Sequence, residues 1–212
     1  MSLFLSSQAL VVVSADCHAI SGKLYCYERS FDKWRSVFDP IVVNLGKNGM
    51  AHEGEKREGD GKSPSGIFPL GPVFGDSLHK SCVKNMPFLL TKDLECVDDS
   101  SSLHYNQFVT SSIEKTYVSS EKMEEMGSLY SLGVVVGYNQ HPVCSGVGSC
   151  IFLHIWKEEG CGTAGCTVME KKHLVNVVSW LDAKKTPHLA QFPMEEYEKK
   201  KNGWAYQSFR QN

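Results

Sequence analysis

The sequence predicts a mainly β fold, a β-sandwich or barrel-like sheet, with one substantial helix late in the chain. Three observations carry that reading. Short apolar runs bounded by turn residues dominate the chain up to Trp156. They break at turn signals rather than repeating every 3.6 residues. A helical pattern appears only where Leu174, Val177, Val178 and Leu181 fall at i, i+3, i+4 and i+7, the spacing of one apolar helix face.

Taken in order, residues 9–14 form a continuous apolar run ending in Ser14, the pattern of a buried strand. Residues 22–28 alternate as a half-exposed strand does, and 40–45, 132–138 and 149–156 are further short apolar runs. Residues 121–126 read as a short helical turn. The late helix is expected over 167–184, with Glu170, Lys171 and Lys172 on its polar face and Pro187 beyond its end. After Pro193 the chain is polar, and Trp204 and Tyr206 predict a tail that docks. The organisation expected is one domain over 1–190, with residues 191–212 packed on it.

Composition narrows the function. Of 212 residues, 22 are basic and 24 acidic, for a net charge of −2. Nucleic-acid surfaces normally carry a large Lys/Arg excess, so no nucleic-acid partner is expected. No apolar run approaches the roughly 20 residues that span a bilayer. Residues 3–13 loosely resemble a signal peptide, but no Lys or Arg precedes them and Ser6-Ser7-Gln8 interrupts them. The buried-strand reading is preferred there. Eight cysteines are many for this length. No pair has CxxC spacing, so a zinc ribbon is not indicated, and no metal or cofactor is expected. Cys150, inside an apolar run, reads as a small buried hydrophobe.

One constellation carries chemistry. His154 ends the apolar run Phe152-Leu153-His154. A loop with Gly160, Gly162 and Gly165 follows, and Cys166 comes at the expected start of the helix. A free thiol titrates near 8.5, and a helix N-terminus or a neighbouring imidazolium lowers that value. The loop of Gly162, Thr163 and Gly165 lets the backbone approach a substrate and turn N–H groups toward an oxyanion. His154 is then the candidate general base and Cys166 the nucleophile. The alternative is a small packing cysteine beside a core histidine. His104 and His141 lie in loops and are rival bases without that strand-end placement.

These residues resemble the L,D-transpeptidases with a YkuD-type catalytic domain. The likeness is to a divergent branch whose catalytic stretch reads as Gly148-Ser149-Cys150-Ile151-Phe152-Leu153-His154 and Thr163-Ala164-Gly165-Cys166 do here. A second block, Lys56-Arg57-Glu58-Gly59-Asp60-Gly61-Lys62-Ser63-Pro64-Ser65-Gly66-Ile67-Phe68, is similar to another signature of the family. Asn48-Gly49, Asp98-Asp99 with Tyr105-Asn106, Gly137-Tyr138-Asn139, and Gln191-Phe192-Pro193 with Glu196-Tyr197 extend the resemblance along nearly the whole chain. Two departures stand out. Ala164 occupies the place of a histidine in the commoner branch, and Val168 that of an Arg or Asn. Cys161 is also unusual there, and is a candidate disulfide partner for Cys166.

The resemblance implies a YkuD-type fold and a peptidoglycan stem peptide as substrate, hence a periplasmic or cell-envelope location. The thioester on Cys166 would pass to a stem amine (an L,D-transpeptidase), to water (an L,D-carboxypeptidase) or to a lipoprotein amine. Arg57, Tyr138, Asn139 and Trp156 are candidates for lining the substrate cleft, Arg57 by pairing with a carboxylate. Each also has a plain structural reading: a solvated edge for Arg57, turn or core packing for the others. A non-catalytic peptidoglycan-binding protein and a thiol-rich metal or redox protein are the alternatives from other classes.

Overall fold

The computed structural model describes residues 6–31, 33–110 and 115–204, without the side chains of 202–204. Its architecture is mainly β, built on a barrel-like sheet, as the sequence predicts. In chain order the strands are β1 (Gln8–Ser14), β2 (Ser21–Ser30), β3 (Lys33–Ser36), β4 (Ile41–Asn44) and β5 (Gly66–Gly75). Then come β6 (Phe88–Leu90), β7 (Leu94–Val97), β8 (Phe108–Thr110), β9 (Ser120–Lys122) and β10 (Leu132–Val136). The last three are β11 (Phe152–Ile155), β12 (Thr167–Met169) and β13 (His188–Pro193), and the helices are α1 (Lys171–Trp180) and α2 (Met194–Trp204).

The large sheet runs β1-β13-β5-β10-β11-β12-β4-β2-β3, and a further β1–β2 pairing joins β2 back to its start. That closure leaves few free edges, which is how barrels avoid exposing unpaired backbone. β1 pairs parallel with β13 on one side and antiparallel with β2 on the other, so all seven of its residues are buried. The main core lies inside, where Leu10, Val12, Leu24, Val43, Val134 and Leu153 meet Leu174, Val177 and Val178 of α1. A second cluster of Phe74, Tyr130, Val135, Phe152, Cys166 and Val168 lies on the other face of the β10-β11-β12 region. Gly133, opposite His154 in the ladder, has to be glycine, because a Cβ there would lie 2.2 Å from the Phe74 ring.

Several expectations change. The late helix begins at Lys171, and the three-residue strand β12 separates it from Cys166. It ends at Trp180 rather than Lys184, because the Asp182 side chain accepts from the Lys184 N–H and closes a separate short turn. The turn expected over 121–126 starts later: Ser120–Lys122 is β9, the edge of a small sheet ordered β8-β7-β9, and residues 123–126 turn through the Glu125 N–H to Lys122 O and Gly127 N–H to Glu124 O bonds. The polar segment after Pro193 forms α2, which places Glu195 and Glu196 in its first turn, where the helix dipole favours acidic groups. Its His52–Glu196 and Glu53–Lys200 contacts hold the chain just before Lys56. Tyr206 and residues 1–5 lie outside the described residues, and the side chain of Trp204 is not described.

Cys150 is buried but is no simple hydrophobe. It forms a disulfide with Cys96 of β7, tying the small sheet to the segment that enters β11. Cys161 and Cys166 are both free thiols, so the bridge considered between them is not formed.

Candidate functional site

β11 and β12 run parallel, with Leu153 opposite Thr167 and His154 opposite Val168. Side chains alternate along a strand, so Phe152, His154, Cys166 and Val168 share one face. Leu153 and Ile155 turn the other way, into the main core. The Phe152 N–H donates to the Cys166 Sγ at 3.3 Å, and that thiol donates to the Cys150 carbonyl at 3.5 Å. His154 therefore sits one same-face step along from Cys166, roughly 7 Å away for diagonal strand neighbours. No hydrogen bond joins the two side chains among the described residues.

Both groups are buried, each with 7% of its surface exposed. Burial, with the Glu121 carboxylate adding to it, pushes the Cys166 thiol well above its ordinary value; the Phe152 N–H and the Lys56 ammonium pull it back. The helix N-terminus expected to help is absent, since β12 intervenes. Burial likewise lowers the His154 pKa from 6.5 to about 4, against the opposing pull of the Ile155 and Leu129 backbone. At neutral pH the resting pair is a thiol and a neutral imidazole. Nδ1 lies 2.9 Å from the Ile155 carbonyl, which fits a neutral ring with its proton on Nδ1, while the Leu129 backbone also favours a ring N–H.

The loop before Cys166 is stitched in place. The Thr163 N–H donates to Leu45 O and its carbonyl accepts from Lys47 N. Its hydroxyl donates to the Cys166 carbonyl at 2.7 Å and accepts from the Gly165 N–H at 3.1 Å. That Gly165 N–H is thus engaged with Thr163 in the resting state. Gly162 is pressed against Lys47, where a Cβ would come within 2.6 Å of the Lys47 Cα.

The block around residues 56–63 closes over the same spot. Ser63 Oγ donates to the Cys166 carbonyl at 3.3 Å and accepts from Gly46 N at 2.9 Å. Lys56, only 3% exposed, donates to Asp60 Oδ1 at 2.6 Å and to Arg57 O at 2.9 Å, and its charge acts on Cys166 through space. Glu58 Oε2 accepts from Ser149 Oγ at 2.6 Å and from the Tyr105 hydroxyl. Asn106 accepts from the Cys150 N–H at 2.9 Å and donates to the carbonyls of Tyr138 and Asn139. Blocks far apart in sequence are thus tied together beside Cys166 and Cys150.

The candidate cleft residues differ in what they do. Arg57 is exposed and its guanidinium donates to Gly54 O and Lys56 O, bracing the turn. Tyr138 is half-buried, packs edge-on to Phe68 at 5.5 Å and donates its hydroxyl to Val147 O. Asn139 ties the following loop together through Cys144 and Gly148. Trp156 packs beside the second core cluster. His104 and His141 stay in their loops, His141 exposed. Lys56, Glu121 and Tyr130 are site neighbours that sequence reasoning missed. Lys56 stood inside a recognised block, whereas nothing local marks the other two.

No family model matches the chain, and no curated protein matches it either. Among solved structures it is similar to the helical cell shape determining protein Pgp2 from Campylobacter jejuni. That likeness has a TM-score of 0.48 and 14% identity, over 89% of this chain and 48% of that one. It is also similar to Bd1075 from Bdellovibrio bacteriovorus, with a TM-score of 0.46 and 14% identity, over 93% of this chain and 54% of the other. The chain therefore spans about half the length of these structures. Among the described residues no helix is long and apolar enough to cross a membrane, and no group of His, Cys, Asp and Glu could hold a metal ion.

Proposed function

We propose that this chain is a cysteine acyltransferase of the L,D-transpeptidase type, acting on peptidoglycan tetrapeptide stems in the periplasm or cell envelope. The observation that carries the reading is that the resembling blocks are hydrogen-bonded into one network that holds the Cys166 backbone and the 149–150 segment beside it. Ser63 and Thr163 bind the Cys166 carbonyl, Cys150 O accepts its thiol, and Glu58, Tyr105, Asn106, Tyr138, Asn139 and Ser149 are bonded to one another and to Cys150, with His154 on the same strand face as Cys166. A cysteine needed only for packing gives no reason for two side chains, Ser63 and Thr163, to hold its backbone carbonyl in place.

The chemistry follows from the resting charges. A neutral imidazole can take the thiol proton as sulfur attacks, whereas a preformed ion pair is disfavoured in so buried a place. His154 and Cys166 approach each other in the substrate complex, since catalytic hydrogen bonds are commonly long before substrate binds. The sulfur adds to the carbonyl carbon of the third stem residue. The tetrahedral oxyanion collapses, the C–N bond breaks, and the terminal D-alanine leaves with the proton held by His154. An amine or water then releases the thioester. Thr163 and Gly165 would shape the oxyanion side, and Arg57, Tyr138, Asn139 and Trp156 the approach to it.

The test is mass spectrometry of the purified protein with disaccharide-tetrapeptide, run beside Cys166→Ala. The wild type is expected to carry a thioester on Cys166 and release D-alanine, and the variant to do neither. A 3–3 dimer identifies transpeptidation and a tripeptide identifies carboxypeptidation. Reduced and oxidised wild type both failing to form an adduct with every stem variant would sink the proposal and leave a peptidoglycan-binding protein.

A further inference from the structure

The Cys166 site contains a carboxyl group that the chemistry above does not use. In the small sheet, Cys96 of β7 lies directly opposite Glu121 of β9. Directly opposed residues put their side chains on the same face. Cys96 reaches across to Cys150, whose carbonyl accepts from the Cys166 thiol. Glu121 is therefore aimed at the same place, and the disulfide fixes β7, the strand with which β9 pairs.

Glu121 also has a defined partner. The Tyr130 hydroxyl donates to its Oε2 at 2.5 Å. Tyr130 is 3% exposed, and its ring stands edge-on to the His154 imidazole, 4.8 Å between centroids, and to Phe152 at 5.6 Å. One continuous set of contacts runs from Glu121 through Tyr130 to His154, while Glu121 itself bears electrostatically on Cys166.

We propose that Glu121 is a positioning and charge-gating residue of this site: through Tyr130 it seats the His154 imidazole, and its carboxyl has to be neutral for Cys166 to ionise readily. The inference rests on reading Cys166 as the nucleophile. The groups facing Glu121 are Asp98 beyond the end of β7, Glu58 from the 56–63 loop, the Tyr130 hydroxyl and the Cys166 thiol. Lys56 acts on the thiol through space as a cation. Burial raises the Glu121 pKa from 4.5 to about 7, with Asp98 and Glu58 adding to it and the Tyr130 hydrogen bond opposing. Below that value Glu121 is neutral. Above it, a carboxylate beside Cys166 raises the thiol further, so thiolate gains less with each pH unit there than a lone cysteine would.

The experiment is the rate of iodoacetamide alkylation at Cys166 from pH 5.5 to 9.5, followed by peptide mass spectrometry, with exposed Cys144 as internal reference. In the wild type the rise with pH is expected to flatten around 7. Glu121→Gln keeps an oxygen acceptor for Tyr130 and removes the charge. It should rise tenfold per pH unit without flattening and react on the order of tenfold faster at pH 8.5. Tyr130→Phe removes the hydrogen bond that favours the ionised carboxyl, so its flattening should move to higher pH. If Glu121→Gln loses a cooperative thermal transition, Tyr130→Phe carries the test alone. Superimposable profiles for wild type and folded variants would overturn the inference. Alkylation needs no stem peptide, so it separates the two readings. A thioester with superimposable profiles removes only the gate, and a displaced profile without any thioester removes only the proposed function.

Discussion

His154→Gln is expected to lower the rate of thioester formation on Cys166 by about 10²- to 10⁴-fold, the usual contribution of a positioned general base. Glutamine approximates the imidazole in size and can still donate to the Ile155 carbonyl, so the loss reads proton transfer rather than collapse of the strand. The same variant has a signature in stability. His154 is displaced from 6.5 to about 4 by burial, so between those values the unfolded chain holds a proton that the folded chain does not. Wild-type stability from this group is full above 6.5 and falls as pH drops toward 4, by about 3 kcal/mol in all. Glu121 has the opposite sign. Its pKa is raised from 4.5 to about 7, so its contribution is full below 4.5 and lost as pH rises through 7. Comparing variant and wild type at each pH by urea denaturation cancels Glu121 and every other group. The variant should gain on the wild type by about 3 kcal/mol between pH 7 and pH 4. A pH-independent difference would mean that His154 is not held neutral, and the general-base assignment would lose its physical footing.

What the sequence disclosed depended on range. β1, β2, β4 and β10 were legible because each is a short apolar or alternating run bounded by turn residues, and the apolar face of α1 was legible from its spacing. β5 was not, because Pro69 and Pro72 interrupt its pattern; Pro72 falls at the register shift of the β10 pairing between Val134 and Val136, and Pro69 stands opposite His188 of β13. β12 is only three residues long and runs into the helical pattern, so Cys166 looked like a helix start when it precedes a strand. β9 is as short, and its Ser-Glu-Lys has no apolar signal at all. The site divides the same way. Cys166, His154, Thr163 and Gly165 lie within a few turns of chain and announce themselves as a block. Glu121 and Tyr130 come from a separate small sheet and its following turn, and only tertiary packing brings them to the imidazole. Lys56 illustrates an intermediate case: its block was recognised, but its burial against the thiol side of the site follows only from the folded loop.

Removing the Cys96–Cys150 bridge by paired substitution to serine is expected to destabilise the protein by about 4 kcal/mol, from the loop-closure entropy of a 54-residue separation. That cost is large against the roughly 5–15 kcal/mol that holds a typical domain together. The small sheet explains why the loss should be local first. β7, β8 and β9 pair with one another and belong to no strand of the large sheet. The disulfide is their covalent tie to the segment entering β11, and packing of Phe108 on Phe152 supplies an apolar contact at 5.8 Å. Once the bridge is gone, the small sheet has a route to open without the barrel unfolding, and it takes Glu121 with it. Hydrogen exchange should therefore show protection lost in residues 94–110 and 120–122 before the barrel strands, while urea denaturation reports the total. In the wild type a reductant should reproduce both effects, and in the double-serine variant it should add nothing, even though six other cysteines are present as free thiols. Wild-type stability that is the same with and without reductant would show that the bridge does not constrain the chain. Loss of protection spread evenly over the barrel would show that the small sheet is no separate unit. If the small sheet does open first, reduction should also remove the flattening of Cys166 reactivity near pH 7, because the carboxyl responsible for it is held in place by the strand that the disulfide pins.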